Sequence, residues 1–514
     1  MSKSKDSTLY DVAIIGGGIN GAVSAARLSA SGLKVLLLER GDYASTTSQE
    51  SSNLVWGGIK YLQSYEFGLV YKLCRSRNQL MRCYPNRIRE IGFLASIGPT
   101  SPFGRVLGLF GTMAYWFIGG FSTKMPKLYL ANRATVIEPS FIPGRAALEY
   151  FDAELPDNDS RFVWDFIATA KRFGAQVCNY SELIEAQFDG EWNLLAQDAH
   201  TAEKIEYRAK SVVNATGPFA AGVSELLGVT PKSRLVLSKG VHLIVPKIHN
   251  SDRVLAFWDE EGRMFYVLPM GDRSMIGTTD TRVDSETKEV TKEDRDFLLR
   301  QINKEMNLAR PLTESEIISE RCGVRPLVAG SSKTDTSDWH KLSRKHVIET
   351  AIEKRVITVF GGKLTDCLNV GDEVFAAVKK FRLGKFSVAE NWYGEESKES
   401  QQSFEKAARP VFGNGPAAEL IVSELWRRHG SRALEILELA QTGKELREPI
   451  FEGLGICGAE VRYVLEYEQV KTPDDLLRRR LPIAMCRSAS EIAQNVKLNQ
   501  LLPCETSTSP KELA

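Results

Sequence analysis

A glycine-rich turn near the start of the chain has the residue spacing that binds a dinucleotide. Gly16, Gly18 and Gly21 form a G-x-G-x-x-G pattern, and Glu39 lies 18 residues past the last glycine. Gly16 permits a tight turn, Gly18 lets the backbone approach a pyrophosphate, and Gly21 allows close packing of helix and strand. Glu39 can accept both hydroxyls of an adenosine ribose, and we also assign Asn20 to this site. The pattern predicts a dinucleotide site without choosing between FAD and NAD.

Two short strands and a helix must hold this turn. Asp11–Ile15 and Lys34–Glu39 are apolar runs typical of buried parallel strands, and residues 22–31 have the small-residue spacing of a helix. The runs Lys210–Pro218 and Arg355–Thr365 resemble later strands of the same sheet. The sequence therefore predicts a Rossmann-like α/β domain built from separated parts of the chain.

The paired glycines Gly361 and Gly362 favour a flavin as the bound dinucleotide. They end the run that begins at Arg355 and precede a helical stretch from about Leu364 to Lys380. A helix starting there directs backbone N–H groups at an acceptor-rich group, such as the N1–C2=O edge of an isoalloxazine. An ordinary strand-to-helix turn is the alternative.

Composition excludes several classes of protein. A chain of 514 residues is too long for one core and predicts two or three domains. With 66 basic and 65 acidic residues, it has no charge excess that indicates a nucleic-acid partner. The eight cysteines show no metal-ligand spacing, so we expect reduced thiols and no metal site.

One uncharged segment raises the question of a membrane. Residues 106–123 contain no charge, with Arg105 before them and Lys124 and Lys127 after them. The segment reaches the lower limit for a spanning helix, but four glycines weaken that interpretation. A buried or surface-dipping helix with peripheral membrane contact is favoured. The N-terminal residues lack a signal-like apolar stretch, so we expect a cytoplasmic protein, at most peripheral on the cytoplasmic face of the inner membrane.

Seven motifs in order carry a resemblance to a known family. They are GGGINGA (16–22), SSNL with GG and KYL (51–62), NATGP (214–218), KGVHLIVP (239–246), IGTTD (276–280), GVRPL (323–327) and FGGKLT (360–365). The set resembles the FAD-dependent glycerol-3-phosphate dehydrogenases of respiratory and oxidase type, and the likeness continues more loosely into residues 459–480.

The resemblance implies a three-part architecture, α/β plus α+β. A discontinuous FAD-binding domain (residues 7–65, 145–222 and 340–385) would be joined to a substrate-capping domain with an antiparallel sheet (66–144 and 223–339). A helical C-terminal domain (386–500) and a disordered tail (501–514) would follow. Residues 384–402 have the composition of a linker.

The same resemblance, with the chemistry of the side chains, assigns site residues. The predicted catalytic residues are His242 as proton acceptor, Arg325 over the flavin and Lys363 beside it. The predicted substrate-binding residues are Lys60, Tyr61, Arg325, Arg344 and Thr279. Beyond the first glycine turn and Glu39, we assign to FAD Ser51, Ser52, Gly57, Gly58, Ala215, Gly217, Gly361, Gly362, Lys363, Leu364 and Thr365. Gly57 and Gly58 are expected to leave room for the flavin ring.

Three positions depart from the family pattern. Trp56 stands where relatives usually have histidine, Lys60 where they have arginine, and Asp366 opens a segment that is often Thr-Tyr-Arg. Lys60 keeps a positive charge but loses two-pronged geometry. Asp366 adds a negative charge near the site or caps the next helix.

The expected reaction is FAD-dependent oxidation of sn-glycerol 3-phosphate to dihydroxyacetone phosphate, with electrons passed to a quinone or another acceptor. Oxidation of a 2-hydroxy acid or an amine is an alternative, because a carboxylate satisfies some of the same cations. A flavin-binding protein impaired in catalysis is a second alternative. The oligomeric state is left open, and a homodimer is compatible with the sequence.

Overall fold

The computed structural model describes residues 3–329, 345–387 and 391–502. In these ranges the strands are β1 Lys3–Tyr10, β2 Val12–Ile15, β3 Val35–Leu38, β4 Leu54–Val55, β5 Arg89–Ile97, β6 Lys127–Tyr129, β7 Ala146–Glu154, β8 Gln176–Cys178, β9 Ser181–Asp189, β10 Glu191–Asp198, β11 Lys204–Ala209, β12 Val212–Asn214, β13 Arg234–Pro246, β14 Val254–Trp258, β15 Met264–Met270, β16 Arg273–Gly277, β17 Thr281–Val283, β18 Ser319–Ala329, β19 Val347–Ala351 and β20 Val356–Phe360. The α-helices are α1 Ile19–Ser29, α2 Phe67–Cys83, α3 Arg105–Ile118, α4 Ala131–Ile137, α5 Asp159–Arg172, α6 Ala220–Leu226, α7 Lys292–Glu305, α8 Cys367–Lys379, α9 Lys398–Phe412, α10 Pro416–His429, α11 Ala433–Thr442, α12 Gly458–Tyr467, α13 Ile483–Cys486, α14 Ala489–Ala493 and α15 Val496–Leu501.

A six-stranded sheet forms the predicted dinucleotide-binding core. Its order is β19-β20-β12-β2-β3-β8, and every neighbouring pair from β20 to β8 is parallel. Helices α1, α5 and α8 pack on one face, where Ala25, Phe166 and Val374 share a core. The four-stranded sheet β1-β11-β10-β9 covers the other face. Because both faces are covered, β2, β3 and β20 are fully buried apolar runs, as expected for parallel strands.

A second, ten-stranded sheet carries the predicted capping domain. Its main path is β17-β13-β16-β15-β14-β5-β7-β4, with β18 paired to β13 and β6 to β7. The pairs are antiparallel except β5 with β14, which confirms the predicted antiparallel character. Strand β7, which the predicted boundaries placed in the FAD-binding domain, lies in this sheet. The domain boundaries themselves stay a prediction.

Helices α9 to α15 form the predicted helical C-terminal part. Buried ion pairs attach it to the six-stranded sheet's layer: Arg161 to Glu468 at 2.5 Å and Arg480 to Asp42 at 2.8 Å. The predicted linker 384–402 is too long, because α9 already begins at Lys398. The predicted tail likewise begins one residue early, since Leu501 ends α15, and residues 503–514 lie outside the described ranges.

The uncharged segment 106–123 folds mainly as α3, a helix of 14 residues that lies on the surface. Tyr115 faces inward and is 2% exposed, whereas Phe110 and Phe117 are 70% and 68% exposed. No helix in the described part of the chain is both long and apolar enough to cross a membrane.

Candidate active site

Two adjoining cavities form one trough between the sheets. The smaller, of about 160 Å³, lies at the carboxyl ends of β2, β3 and β12, and the larger, of about 320 Å³, lies beneath the ten-stranded sheet. The cavities share the lining residues Ile19, Thr47, Ser48, Pro326 and Gly362. An elongated trough that runs from Glu39 to Lys363 fits a dinucleotide such as FAD, with one end left for a substrate.

The first glycine turn makes the close approach that the sequence predicts. A Cβ on Gly21 would lie 1.8 Å from the carbonyl oxygen of Gly16, so only glycine allows this packing of α1 on β2. Gly16 itself has a φ of +104°, and its open side meets the Ala215 backbone. Gly18 lines the smaller cavity beside Ser48, whose Oγ accepts from the Ile19 N–H at 3.0 Å. The α1 N-terminus therefore opens on the trough.

Glu39 lies at the far end of the smaller cavity, where the predicted ribose would bind. Its carboxylate accepts hydrogen bonds from Gly17 N at 2.6 Å and Gly41 N at 2.8 Å. Burial raises the pKa of Glu39, and these two N–H groups oppose that shift. The next residue, Arg40, stacks over the Phe219 ring at 3.8 Å and also lines the cavity, a residue that the sequence reading missed.

The second glycine turn lies where the two cavities meet. Gly361 and Gly362 have φ values of +65° and +110°, which favour glycine. The Asn20 side-chain amide donates to Gly361 O at 2.9 Å, whereas its buried Oδ1 accepts no hydrogen bond among the described residues. An unsatisfied buried acceptor at this junction, beside a turn that precedes a helix, is what a bound polar group would complete. Thr365 follows and exchanges hydrogen bonds with the backbone of Trp56 at 3.0 and 3.3 Å.

Residues 56–62, the active-site wall, face Lys363 across the larger cavity. The ammonium of Lys363 donates to the Tyr61 hydroxyl at 2.6 Å and lies 4.2 Å from the centre of its ring. The Trp56 ring lies 5.7 Å from the same ammonium. Lys60 also lines the cavity, so the wall presents a cation and two aromatic rings to it.

Gly57 and Gly58 lie against packed protein. Neither residue lines either of the two cavities, and a Cβ on Gly57 would lie 2.2 Å from the Tyr115 hydroxyl. A Cβ on Gly58 would lie 2.8 Å from the Tyr61 ring and 3.0 Å from Leu73. The glycines therefore make room for packed protein behind the wall, and their assignment to the flavin site stays a prediction.

Arg325 enters the larger cavity from β18, opposite a glycine. A Cβ on Gly240 would lie 2.3 Å from the Arg325 guanidinium, so that glycine provides the space for it. Arg325 donates to the Thr278 hydroxyl at 3.0 Å and lies 3.5 Å from an Asp280 carboxylate oxygen. Thr279 also lines the cavity, and its hydroxyl accepts from Val241 N at 3.0 Å.

His242 lies behind the cavity lining, and Ser52 lies in it. The histidine is 1% exposed, and its Nε2 is 2.8 Å from the Ser52 hydroxyl. Burial lowers the pKa of His242 well below its ordinary value, and the positive charges of Arg321 and Arg325 add to the effect. A neutral imidazole is therefore connected to the cavity through one serine, a contact that the sequence could not supply.

The remaining predicted residues fall into three groups. Ser51, Ser52, Leu364 and Thr365 line the larger cavity, and Ala215 and Gly217 line the smaller one. Arg344 lies outside the described residues.

Residues of the larger cavity that the prediction missed include Glu50, Asp259, Arg263, Tyr266 and Phe297. Arg263 ends the turn between β14 and β15. The sequence pattern that could have identified it is a glycine-containing turn between two apolar runs.

Asp366, one of the three departures, turns away from the cavity. It occupies the N-cap position of α8 but makes no capping bond to the backbone. Its carboxylate instead contacts the Ser76 hydroxyl at 2.9 Å, Lys72 at 3.2 Å and His346 at 3.1 Å. Although burial opposes it, hydrogen bonds from His346 and Asn369 and the charge of Lys72 lower the pKa of Asp366 to about 2. The added charge is thus neutralised outside the site.

Two family models match the chain. Residues 11–362 match the FAD dependent oxidoreductase family, and residues 387–499 match the C-terminal domain of alpha-glycerophosphate oxidase. The glycerol-3-phosphate dehydrogenase of Pseudomonas aeruginosa is 28% identical over 98% of this chain and 97% of its own. Glycerol-3-phosphate dehydrogenase 2 of Mycobacterium tuberculosis is 30% identical over 93% of this chain and 81% of its own.

A solved structure supports the same fold. The glycerol-3-phosphate dehydrogenase of Bacillus halodurans, complexed with FAD, has a TM-score of 0.72 and 23% identity, covering 98% of this chain and 92% of that one. The trough formed by the two cavities, the two glycine turns and the family match over residues 11–362 all agree with FAD as the cofactor. The chain belongs to the FAD-dependent oxidoreductase family, among its glycerol-3-phosphate dehydrogenases.

Proposed function

We propose that this protein oxidises sn-glycerol 3-phosphate to dihydroxyacetone phosphate. The observation that carries the proposal is the pair of cations Arg325 and Lys363 lining one cavity beside the Gly361–Gly362 turn. A phosphate dianion needs more than one cation, preferably with an arginine for paired oxygen contacts. The names of the relatives from Pseudomonas aeruginosa and Mycobacterium tuberculosis agree with this substrate, whereas a relative from Brucella abortus is named D-erythritol 1-phosphate dehydrogenase.

The residues of this chain divide the remaining work. FAD, when bound, supplies the acceptor for the hydride that leaves the substrate carbon. Arg325, Lys60 and Lys363 hold the phosphate and fix the orientation of the secondary alcohol. Ser52 takes the hydroxyl proton and passes its own to the neutral His242, because the serine lines the cavity and the histidine lies 2.8 Å behind it.

We further propose that electrons pass to a quinone at the cytoplasmic face of the inner membrane. A quinone is dissolved in lipid, so an enzyme that reduces it must reach the bilayer. Phe110, Phe117 and Phe121 are 70%, 68% and 55% exposed on or just beyond α3, and the cations Arg105, Lys124 and Lys127 flank them. An apolar surface edged by cations matches an anionic lipid surface.

The absorbance of bound FAD tests the substrate directly. Purified holoprotein is mixed without oxygen with sn-glycerol 3-phosphate, glycerol, a 2-hydroxy acid or an amine. We expect loss of the oxidised-flavin band with glycerol 3-phosphate and none with glycerol, which lacks the phosphate. Loss of the band with a hydroxy acid or amine, but not with glycerol 3-phosphate, overturns the proposal.

Arg325 provides the matched test of the site. Arg325→Ala is expected to raise the KM for glycerol 3-phosphate by about 100-fold, since hydrogen bonds to charged groups contribute about 1.5–3 kcal/mol each. Arg325→Lys keeps the charge but loses the two-pronged contact, so its KM should fall between those of Arg325→Ala and wild type. An unchanged KM in Arg325→Ala contradicts the assigned site.

A further inference from the structure

A buried ion pair lies directly behind the active-site wall. Asp152 on β7 and Arg77 on α2 approach to 2.9 Å, with side-chain exposures of 0% and 1%. Desolvating two charges is costly, so a buried ion pair is weak evidence for stability, and in some proteins it serves to fix one conformation. The other groups that hydrogen-bond to Asp152 and Arg77 indicate which segment of the backbone the pair fixes.

Both carboxylate oxygens of Asp152 accept hydrogen bonds, and one of the donors belongs to the wall. Oδ1 accepts from Gly57 N at 2.9 Å in addition to Arg77, and Oδ2 accepts from the Tyr115 hydroxyl at 2.8 Å. Tyr115 is also 3.2 Å from the Arg77 guanidinium. The tyrosine therefore orients the carboxylate that holds the backbone of the wall.

The tyrosine also packs directly against the glycine. A Cβ on Gly57 would lie 2.2 Å from the Tyr115 hydroxyl, and Cys74 closes the other side, with Sγ 3.7 Å from Gly57 O. The Gly57 peptide is thus fixed by hydrogen bonds and by contact.

The fixed peptide leads within four residues to the substrate side. Tyr61 N donates to Gly58 O at 2.9 Å, which closes the turn Ile59–Leu62. The hydroxyl of Tyr61 then accepts from Lys363 at 2.6 Å. A displacement of Gly57 is therefore passed to Lys60 and Tyr61 and to the ammonium that meets the substrate.

We propose that Tyr115 and Asp152 are positioning residues, which hold Gly57 and through it set the places of Lys60, Tyr61 and Lys363 in the substrate cavity. The inference rests on the proposed function where it is tested by the KM for glycerol 3-phosphate, but not where it is tested by hydrogen–deuterium exchange. The two residues do not touch the cavity, so they act only through the wall.

The test compares two tyrosine variants that each remove one buried hydroxyl. Tyr115→Phe deletes the bonds to Asp152 and Arg77, and Tyr10→Phe likewise deletes two bonds, to Asp6 at 2.8 Å and to Gln176, far from the cavity. Hydrogen–deuterium exchange of a peptide covering residues 54–62 is measured in both holoproteins, together with kcat and KM. We expect faster exchange and a KM for glycerol 3-phosphate raised about tenfold in Tyr115→Phe alone, with FAD content and kcat changed less than threefold.

A double-mutant cycle separates positioning from general loosening. Gly57→Ala places a methyl group against the Tyr115 hydroxyl, so Gly57→Ala and Tyr115→Phe should combine with much less effect on KM than the product of the single changes. Exchange and KM in Tyr115→Phe equal to those of Tyr10→Phe overturn the proposal. If the wild type does not oxidise glycerol 3-phosphate, the exchange rates of residues 54–62 still test whether Tyr115 holds the wall. Failure of the proposed function and failure of the inference are therefore distinguishable.

Discussion

Lys363 donates a 2.6 Å hydrogen bond to the hydroxyl of Tyr61, and this bond joins two segments that are 302 positions apart in the chain. One segment follows the last parallel strand of the cofactor sheet, and the other is the active-site wall. The bond fixes a flexible ammonium at the cavity, where a rotamer-rich side chain would otherwise lose entropy on binding substrate.

Removing that hydroxyl should weaken substrate binding more than it weakens the fold. Tyr61→Phe keeps the ring 4.2 Å from the ammonium but loses the acceptor. We expect the KM for glycerol 3-phosphate to rise about fivefold to tenfold, as one hydrogen bond is worth about 1 kcal/mol. Tyr65→Phe, at a side chain that is 80% exposed, is the control. Equal KM values for the two variants would argue against a positioning role for the bond.

The proton route through Ser52 predicts a specific pattern of kinetic losses. Ser52→Ala and His242→Gln should each lower kcat by about 10²-fold, and the double variant should be little worse, because both act in one transfer. The depressed pKa of His242 keeps its base form available at neutral pH, so the acid limb of the wild-type kcat profile should lie below pH 6.5. Full additivity of the two single losses would contradict a shared route.

Local patterns predicted the two glycine turns, because each turn is contained in one short segment. The first glycine turn and Glu39 follow from adjacent residues, and Gly361 and Gly362 do so as well. The role of Gly57 could not be read in this way, since Tyr115 and Asp152 come from α3 and β7. The position of His242 depended on which face of β13 meets Ser52, and strand alternation alone does not identify that face.

The His346 cluster gives a pH dependence of stability with a definite sign. Burial works against protonation, but the hydrogen bonds that His346 donates to the carboxylates of Asp366 and Glu373 outweigh it and raise the pKa of His346 above its ordinary value of 6.5. A raised folded-state pKa means that the stabilisation is complete below pH 6.5 and is lost as the pH rises through the folded value.

The variant His346→Gln should therefore destabilise the protein most at low pH. The difference in midpoint temperature between wild type and variant is expected to shrink between pH 6 and pH 9. His200→Gln, at an exposed histidine, is the control and should show a difference that does not change in this way. A wild-type advantage that grows with pH would show that the ion pairs of His346 do not govern its protonation.

The apolar face of α3 predicts binding to anionic lipid. Phe110 and Phe117 are 70% and 68% exposed, and burying such a side chain is worth about 1.5–3 kcal/mol. Phe110→Ser and Phe117→Ser should therefore each weaken partitioning onto vesicles that contain anionic phospholipid by about tenfold or more. Val496→Ser and Leu434→Ser, which remove exposed apolar side chains from the helical C-terminal part, are the matched controls and should bind as wild type.

Charge at the same surface predicts how that binding responds to salt and lipid. Lys124 is 75% exposed at its side chain, and Lys127 is exposed nearby. Each such cation contributes about 1 kcal/mol near an anionic bilayer, but Lys124 also contacts Glu90 at 3.1 Å and Arg105 remains, so Lys124→Gln with Lys127→Gln should reduce the salt dependence and leave the apolar contribution. Sedimentation with vesicles of anionic or zwitterionic lipid, at low and high salt, measures the salt-dependent and the apolar contributions to binding. Wild-type protein that stays in solution with every vesicle would contradict both the docking surface and direct quinone reduction in a membrane.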